Sequence, residues 1–425
     1  MTMVRAHRAW AVVAFLLLCP RLSVKAQEPP PADDSRLTLR TSLKTSGLLS
    51  RAPDDPVLFP ERTSAISFWR LRLEPTAHLS ENLTLEAAYE QRLRLSSASS
   101  GGSGIVAAGV LPPDTPAPYR IRQLDWQLSS SSSFSWRHEV DRLAMRVHRT
   151  RSDWTIGRQA VGWGRGVLFG AIDLFSPFTP LEADREWRRG VDALRADLLL
   201  SDRVGLDVVG AFGQAIDSSI LAARLRGYAG TQDLEIVGGR RARDGFVGLS
   251  SSRVVGDAEI HGELGIFRTP NHFDDTEPGD HRWPVKVVVG GSYRFGLGSG
   301  LLVHTEYHYS GFGARRASDL QSLLTMQDFR ARYLRGDMQV LGRHAIGALA
   351  SYDFSPEIAV AAQWLQSPVD GSGLVAPSTT VTLGDRLSLL VSAYLPYGRA
   401  PRGSILRSEY GGTPLSGFLQ IRIYG

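Results

Sequence analysis

The sequence predicts an all-β protein: a transmembrane antiparallel β-barrel of about 18 strands with one inward-folding loop. Three observations predict it. Runs of strict apolar–polar alternation extend well beyond soluble strand lengths. Short turns alternate with long loops. The first residues read as an expected export signal.

Composition narrows the field first. The 425 residues carry 48 basic and 43 acidic side chains, a formal net charge of +5, with 43% hydrophobic residues and one cysteine. A polytopic helical membrane protein needs repeated apolar runs of about 20 residues, and the chain has none. One cysteine excludes a disulfide scaffold and a zinc site built on several thiolates. The apolar residues are too many and too evenly spread for a disordered chain.

Arg5, His7 and Arg8 precede the apolar run from Ala9 to Cys19, and Pro20 then breaks it. Val24 and Ala26 occupy the small-residue positions of a cleavage site, so residues 1–26 are expected to be a signal peptide. Residues 27–35, rich in Pro and Asp, form an expected flexible lead-in, and 36–425 a single barrel domain. Cleavage removes Arg5, Arg8, Arg21 and Lys25, leaving 44 basic against 43 acidic residues in a chain of 399. Only Lys44 and Lys286 then remain as lysines.

Period two dominates the rest. Trp69 to Leu79 sets Trp69, Leu71, Leu73 and Leu79 against Arg70, Arg72, Glu74 and His78. Leu83 to Leu95 sets Leu83, Leu85, Tyr89, Leu93 and Leu95 against Glu86, Glu90, Arg92 and Arg94, with Gln91 interrupting the apolar face. The pattern recurs over 258–266, 285–295, 301–309 and, more weakly, 387–395. Soluble strands cluster near about 5–6 residues, whereas these run for about 9–14, the length of a tilted membrane crossing. A face rich in Arg, Glu and His suits a watery lumen, and its apolar opposite suits lipid.

Turn chemistry supplies a second rhythm. Leu79-Ser80-Glu81-Asn82-Leu83, Leu200 to Val204, Phe354 to Ile358 and Leu383 to Leu387 are near-copies of one short connection. Long polar or Gly/Pro-rich stretches lie between them: Ser96 to Pro118, Thr269 to Arg282, Gly311 to Gly336 and Gly398 to Pro414. Unpaired strand edges cannot face lipid, so the sheet must close. At roughly 22 residues per strand with its connection, 18 strands fit, or 16 if Tyr119 to His138 contributes none.

Thr155 to Ala196 breaks the period. It is Gly-rich, then carries two prolines, then packs Glu182, Asp184, Arg185, Glu186, Arg188, Arg189 and Asp192 together. Long non-strand insertions in barrels are usually functional or capping. The expected constriction residues are Arg158 and Arg165 on the wall with Glu182, Asp184, Arg185, Glu186, Arg188 and Arg189 on the loop, unless these charges only pair and pin it. Arg70, Arg72, Glu86, Arg92, Arg94, His304, Glu306 and His308 are the expected lumen wall. Trp69, Trp126, Trp154, Trp163 and Trp364 fit an interfacial girdle.

The segments Ile156-Gly157-Arg158-Gln159, Trp163-Gly164, Asp173-Leu174-Phe175-Ser176-Pro177 and Arg189 to Arg195 together resemble a pattern in Gram-negative outer-membrane barrels of the porin and alginate-export type, including relatives that accompany polysaccharide export. The resemblance covers about a tenth of the chain. It implies a monomeric 18-stranded barrel with an Arg-lined constriction. At the C-terminus the chain departs from such barrels: Tyr424 is followed by Gly425, and Gln420 and Arg422 share the Tyr424 face, while Leu419, Ile421 and Ile423 supply a lipid face.

No enzyme is expected. His304, Glu306, His308 and Ser310 share one strand face, but alternate strand residues lie about 6.6–7 Å apart, too far to chelate one ion without a partner strand. No metal, cofactor or nucleic acid is expected. The expected function is a passive outer-membrane channel; its most specific version, translocation of an anionic exopolysaccharide, follows from the wide barrel, the Arg-bearing loop, whose forks suit carboxylate, phosphate and sulfate, and what the resemblance to export-associated barrels implies. The alternatives are an uptake porin for general or specific solutes and a non-conducting structural or adhesive barrel. Expected partners are outer-membrane lipid and lipopolysaccharide, the barrel-assembly machinery and a periplasmic polysaccharide-export protein.

Overall fold

A computed structural model describes residues 36–97, 110–111, 117–269 and 283–425. The expected signal peptide and lead-in lie outside the described residues, as does most of the 269–282 loop. Among the described residues, nineteen strands form one antiparallel sheet. The first nine are β1 (Leu37–Arg51), β2 (Thr63–Ser80), β3 (Leu83–Ser96), β4 (Asp125–Ser131), β5 (Phe134–Arg149), β6 (Ser152–Gln159), β7 (Val191–Ser201), β8 (Val204–Ala211) and β9 (Ile220–Ala229). The others are β10 (Gln232–Arg241), β11 (Asp244–Val255), β12 (Ala258–Arg268), β13 (Val285–Phe295), β14 (Leu301–Ser310), β15 (His344–Asp353), β16 (Ile358–Gln366), β17 (Gly373–Leu383), β18 (Leu387–Tyr397) and β19 (Leu415–Tyr424).

The last strand closes on the first, with Ser42 opposite Tyr424 and Leu48 opposite Phe418. Closure removes both edges, as lipid requires. The stretch Tyr119 to His138 contributes β4 and the start of β5. β4 lies beside residues 134–139 of β5, and β6 beside residues 143–149 on the same edge. These two strands share one position, so the barrel has 18 strands. The four near-copied turns join β2 to β3, β7 to β8, β15 to β16 and β17 to β18, all at the end where the chain enters β1. The opposite end carries the long loops. One of them holds two short helices, α1 (Leu320–Thr325) and α2 (Gln327–Arg335), the second stopped by Gly336 in the left-handed region at φ +83°.

The alternation sorts as lipid and lumen demand. Leu49, Val247 and Ile260 point outward at 67%, 58% and 56% exposure, while Lys44, Arg72 and Glu90 are buried inward at 1%, 1% and 0%. The interior is not uniformly polar, however. Val161, Leu168, Phe169, Ile172, Leu174 and Phe175 of the inserted segment pack on inward Val209, Val237, Phe246, Phe267 and Val288 in one apolar core. A wide barrel therefore contains a packed layer on one side of its lumen, where the alternation alone predicts only water.

Val289 is 53% exposed on the outward face near the middle of β13. Val289→Arg is expected to lower the unfolding free energy by about 2–4 kcal/mol, measured by urea titration of the protein folded into lipid vesicles.

Candidate functional site

The inserted segment, residues 160–190, leaves β6 and returns at β7 after crossing the barrel. Its descent is set by two wall carboxylates. Glu263 on β12 accepts the main-chain N–H groups of Arg165, Gly166 (2.9 Å), Ala171 (2.7 Å) and Ile172 (3.3 Å). Glu306 on β14 accepts those of Val167 (2.6 Å), Leu168 (2.9 Å) and Phe169 (2.9 Å). Seven amides of a non-helical, non-strand stretch thus find charged acceptors, each bond worth about 1.5–3 kcal/mol net. Gly164 makes the approach feasible: its φ is +107°, and a Cβ there would stand 2.8 Å from Glu263 Oε1. Gln339, beyond α2, adds a further tie by accepting from Gly170 N–H at 2.6 Å and donating to Phe178 O at 2.9 Å.

The far end of the segment is held on the other side of the ring. Lys44 on β1 donates to Asp184 at 2.8 Å and Glu186 at 2.6 Å. Tyr424 points inward and donates to Glu186 at 2.8 Å. Gln363 on β16 donates to Pro180 O at 2.7 Å. Trp187 lies against a stack of cations, with Lys44 Nζ, Arg70 and Arg72 at 3.6, 4.8 and 5.1 Å from its ring centroid. In the closed strand order β1 and β12 stand on opposite sides, so the segment bridges the lumen.

The expected site residues divide into several groups. Asp184 and Glu186 face the β1 wall, and Glu186 is exposed. Glu182 accepts Thr179 N–H at 3.3 Å, and burial pushes its carboxyl up to about 7. Arg185 donates to main-chain oxygens, Val167 at 2.9 Å, Thr179 at 3.2 Å and Pro180 at 2.5 Å. Arg188 is latched to Asp173 at 2.5 Å and Ser176 O at 2.7 Å. Arg165 reaches Asp233 at 2.6 Å. Arg189 is packed beside Arg92, Arg120 and Glu139, and burial pushes its guanidinium down to about 10. Arg158 is 2% exposed and spends its fork on Asp192 and the carbonyls of Gln123 and Val140. It ties the approach to β4 onto the wall and offers no face to the lumen. The charges of the segment therefore pin it, and Arg185, bonded to neutral oxygens, keeps its charge in a half-buried position.

The expected wall residues do face inward. Arg70 and Arg72 meet Glu90, Arg72 also meets Asp141 at 2.9 Å, and Arg92 bridges Glu90 and Glu139 at 2.9 Å each. Arg94 lies 5.9 Å from the Phe68 ring centroid. Glu86 pairs with Arg146 at 3.3 Å. His304 and Glu306 are bonded to each other at 2.9 Å, while His308 stacks on Phe169 at 5.2 Å. Trp154 and Trp364 lie outward as the girdle expects, but Trp163 is 3% exposed inside and donates to Asp207 at 3.1 Å. Its polar N–H had a buried carboxylate to find.

Sequence reasoning did not single out Glu263, Lys44, Trp187, Glu139, Asp141 or His261 as site residues. Glu263 and His261 were visible only as members of a polar face, and nothing local to them announces which loop they will hold.

The outer mouth is tied by Glu409, which accepts Leu341 N–H at 2.7 Å and Gly342 N–H at 3.1 Å. Arg332 and Arg335 of α2 meet Asp244 at the start of β11 and Asp337.

Structure comparison finds the same architecture in known barrels. OccAB3 of Acinetobacter baumannii matches over 92% of this chain and 99% of its own, with a TM-score of 0.55 at 8% identity. A BenF-like porin from Pseudomonas fluorescens Pf-5 matches over 91% and 98%, with a TM-score of 0.54 at 11% identity. OccAB2 of Acinetobacter baumannii matches over 92% and 98%, with a TM-score of 0.54 at 8% identity. No family model matches the chain, and no curated protein matches it by sequence. At these identities the likeness is one of fold. Closure, strand number and the lipid-facing apolar band make this chain an outer-membrane β-barrel.

Two outcomes follow from the clamps and the mouth. Glu263→Ala strips the acceptor from buried amides, each costing about 1–3 kcal/mol. Hydrogen exchange at Gly166, Ala171 and Ile172 is expected to accelerate at least tenfold while the circular dichroism of the barrel is unchanged. At the mouth, burial with Asp370 beside it pushes the Glu409 carboxyl up to about 7 from the ordinary 4.5. Burial and Asp370 favour the protonated acid in the folded mouth by more than the two amides favour the carboxylate, so the contribution to stability is full below about pH 4.5 and is lost as pH rises through about 7. Protection of the Leu341 and Gly342 amides, corrected for intrinsic exchange, is expected to fall between pH 5 and 8, and to become pH-independent in Glu409→Gln.

Proposed function

We propose that this protein is a selective uptake channel for small solutes, with a preference for anions. The observation that carries this reading is the segment pinned across the lumen at Glu263, Glu306 and Lys44. A bonded bridge narrows the passage permanently, which suits small solutes threading past fixed polar groups and does not suit a growing polymer. The fold-level neighbours point the same way, since one is described as a BenF-like porin. Translocation of an anionic exopolysaccharide, the more specific expectation from the sequence, draws no support from them.

The anion preference rests on placement, because acidic residues nearly balance basic ones. Lys44, Arg70, Arg72 and Arg92 are matched by Asp184, Glu90 and Glu139. Arg185, held by carbonyls, and Arg422, held by Gln420 at 2.6 Å, contribute positive charge without a bonded carboxylate of their own. Fixed arginines in a pore favour anions.

Planar-bilayer recordings under a KCl gradient test this. The expected result is a steady conductance with a reversal potential on the anion side, shifted toward neutrality by Arg185→Gln. A chain that carries no current supports the structural or adhesive alternative, and a conducting chain with identical selectivity in Arg185→Gln refutes the role given to that residue. Loss of surface polysaccharide on deletion of the gene would restore the export reading.

A further inference from the structure

We propose that His261, His304 and Glu306 form a binding site for a divalent cation of the zinc class, set into the wall beneath the inserted segment. The residues come from two strands separated by β13. His261 on β12 is opposite Gly290, and Gly290 is opposite Glu306 on β14. A Cβ at Gly290 would lie 2.5 Å from Glu306 Cγ and 2.9 Å from His261 Nε2, so only glycine leaves the gap through which the two side chains meet. The spacing that forbids chelation along one strand is thereby overcome across three.

The ligand atoms converge. His261 Nε2 and His304 Nε2 lie 3.0 and 2.9 Å from the same oxygen, Glu306 Oε1. One ligand atom from each residue falls within 4.8 Å of the others. The imidazoles are stacked 5.3 Å apart and 7° from parallel, and the three residues are 2–4% exposed. Zinc bonds to His and carboxylate are about 2.0–2.2 Å long, which sets tetrahedral ligands about 3.3–3.5 Å apart. The two nitrogen–oxygen sides need to open by only a few tenths of an ångström to reach that size, and the nitrogen–nitrogen side already lies within 4.8 Å.

Lone-pair counting points in the same direction. A carboxylate has about four acceptor positions, two on each oxygen. Glu306 faces five donors: the amides of Val167, Leu168 and Phe169, and the two imidazoles. Three of them, Val167 N–H and both histidines, press on Oε1 alone. One metal bond at Oε1 replaces two imidazole donations and leaves the three amides in place, which matches acceptors to donors. His261 Nδ1 lies 3.0 Å from Glu259 Oε2, the outer carboxylate that commonly orients a ligating histidine and fixes its tautomer. Two nitrogens and one oxygen suit zinc-class ions over magnesium or calcium, and three protein ligands leave a fourth position for water. Because Glu306 also holds the segment, the ion would reinforce the clamp that shapes the lumen. This inference concerns the wall and stands apart from what the channel conducts.

The test is to fold the protein from denaturant into detergent micelles with and without zinc sulfate, remove free metal by gel filtration, and count bound zinc by mass spectrometry. The expected result is about one zinc per chain and a higher Tm in its presence. His304→Gln and His261→Gln keep an amide donor for Glu306, so the barrel is expected to fold while zinc falls to background and the Tm shift disappears. Zinc retention in the wild type no greater than in these variants overturns the proposal. So does an equal loss in His148→Gln, which alters an exposed histidine remote from the site.

Discussion

Two buried carboxylates, Glu263 and Glu306, take seven of the eight main-chain amides of residues 165–172 out of the hands of water, and the shape of the lumen depends on that exchange. A stretch with neither helix nor strand partners cannot enter a barrel unless its N–H groups find acceptors. The wall supplies them from lumen-facing positions of β12 and β14, where alternation already requires polar side chains. The apolar residues of the same stretch, Leu168, Phe169 and Ile172 among them, then cover inward valines and phenylalanines instead of meeting water. Polar clamp and apolar layer fix one another, and the rest of the segment is carried to Lys44 on the opposite wall.

Charge in this molecule is organised as a set of pairs more than as a field. Arg70, Arg72, Arg92, Glu90, Glu139 and Asp141 form one buried network on β2, β3 and β5. Removing one partner from such a network leaves an uncompensated buried charge, which is costly. This explains how a nearly neutral chain can hold so many arginines inside without swelling, and the proposed anion preference accordingly rests on the few cations whose partners are neutral oxygens. Arg185 is the clearest, since its fork closes a turn of the segment through Thr179 and Pro180 while its charge stays unmatched by a bonded acid.

The barrel was legible in the sequence because two-faced strands have no other home. Alternation over Leu83 to Leu95 or Val285 to Phe295 states which side chains meet lipid, and the four near-copied turns mark one end of the ring. Closure follows from lipid physics. The strand count needed only the resolution of Tyr119 to His138, where β4 borrows an edge that β6 leaves free. The inserted segment was also legible, through its glycines and its crowd of charges. Its contacts were not, because pairing between residues such as Lys44 and Asp184, or Glu306 and Val167, joins positions more than a hundred apart with no local signal. Arg158 shows the cost: beside Gly157 it has the composition of a pore residue, yet the chain before β4 folds over it. Likewise His261 is one polar residue among several until Gly290 gives it a route to Glu306.

The account stands or falls on whether the bridge restricts passage. Reconstituted liposomes challenged with solutes of rising size, from small organic acids and monosaccharides to oligosaccharides, measure this directly by their swelling rates. The account predicts entry of the smallest solutes, faster for anions, and a sharp cutoff below the oligosaccharides. Equal permeation of oligosaccharides and small acids would contradict it.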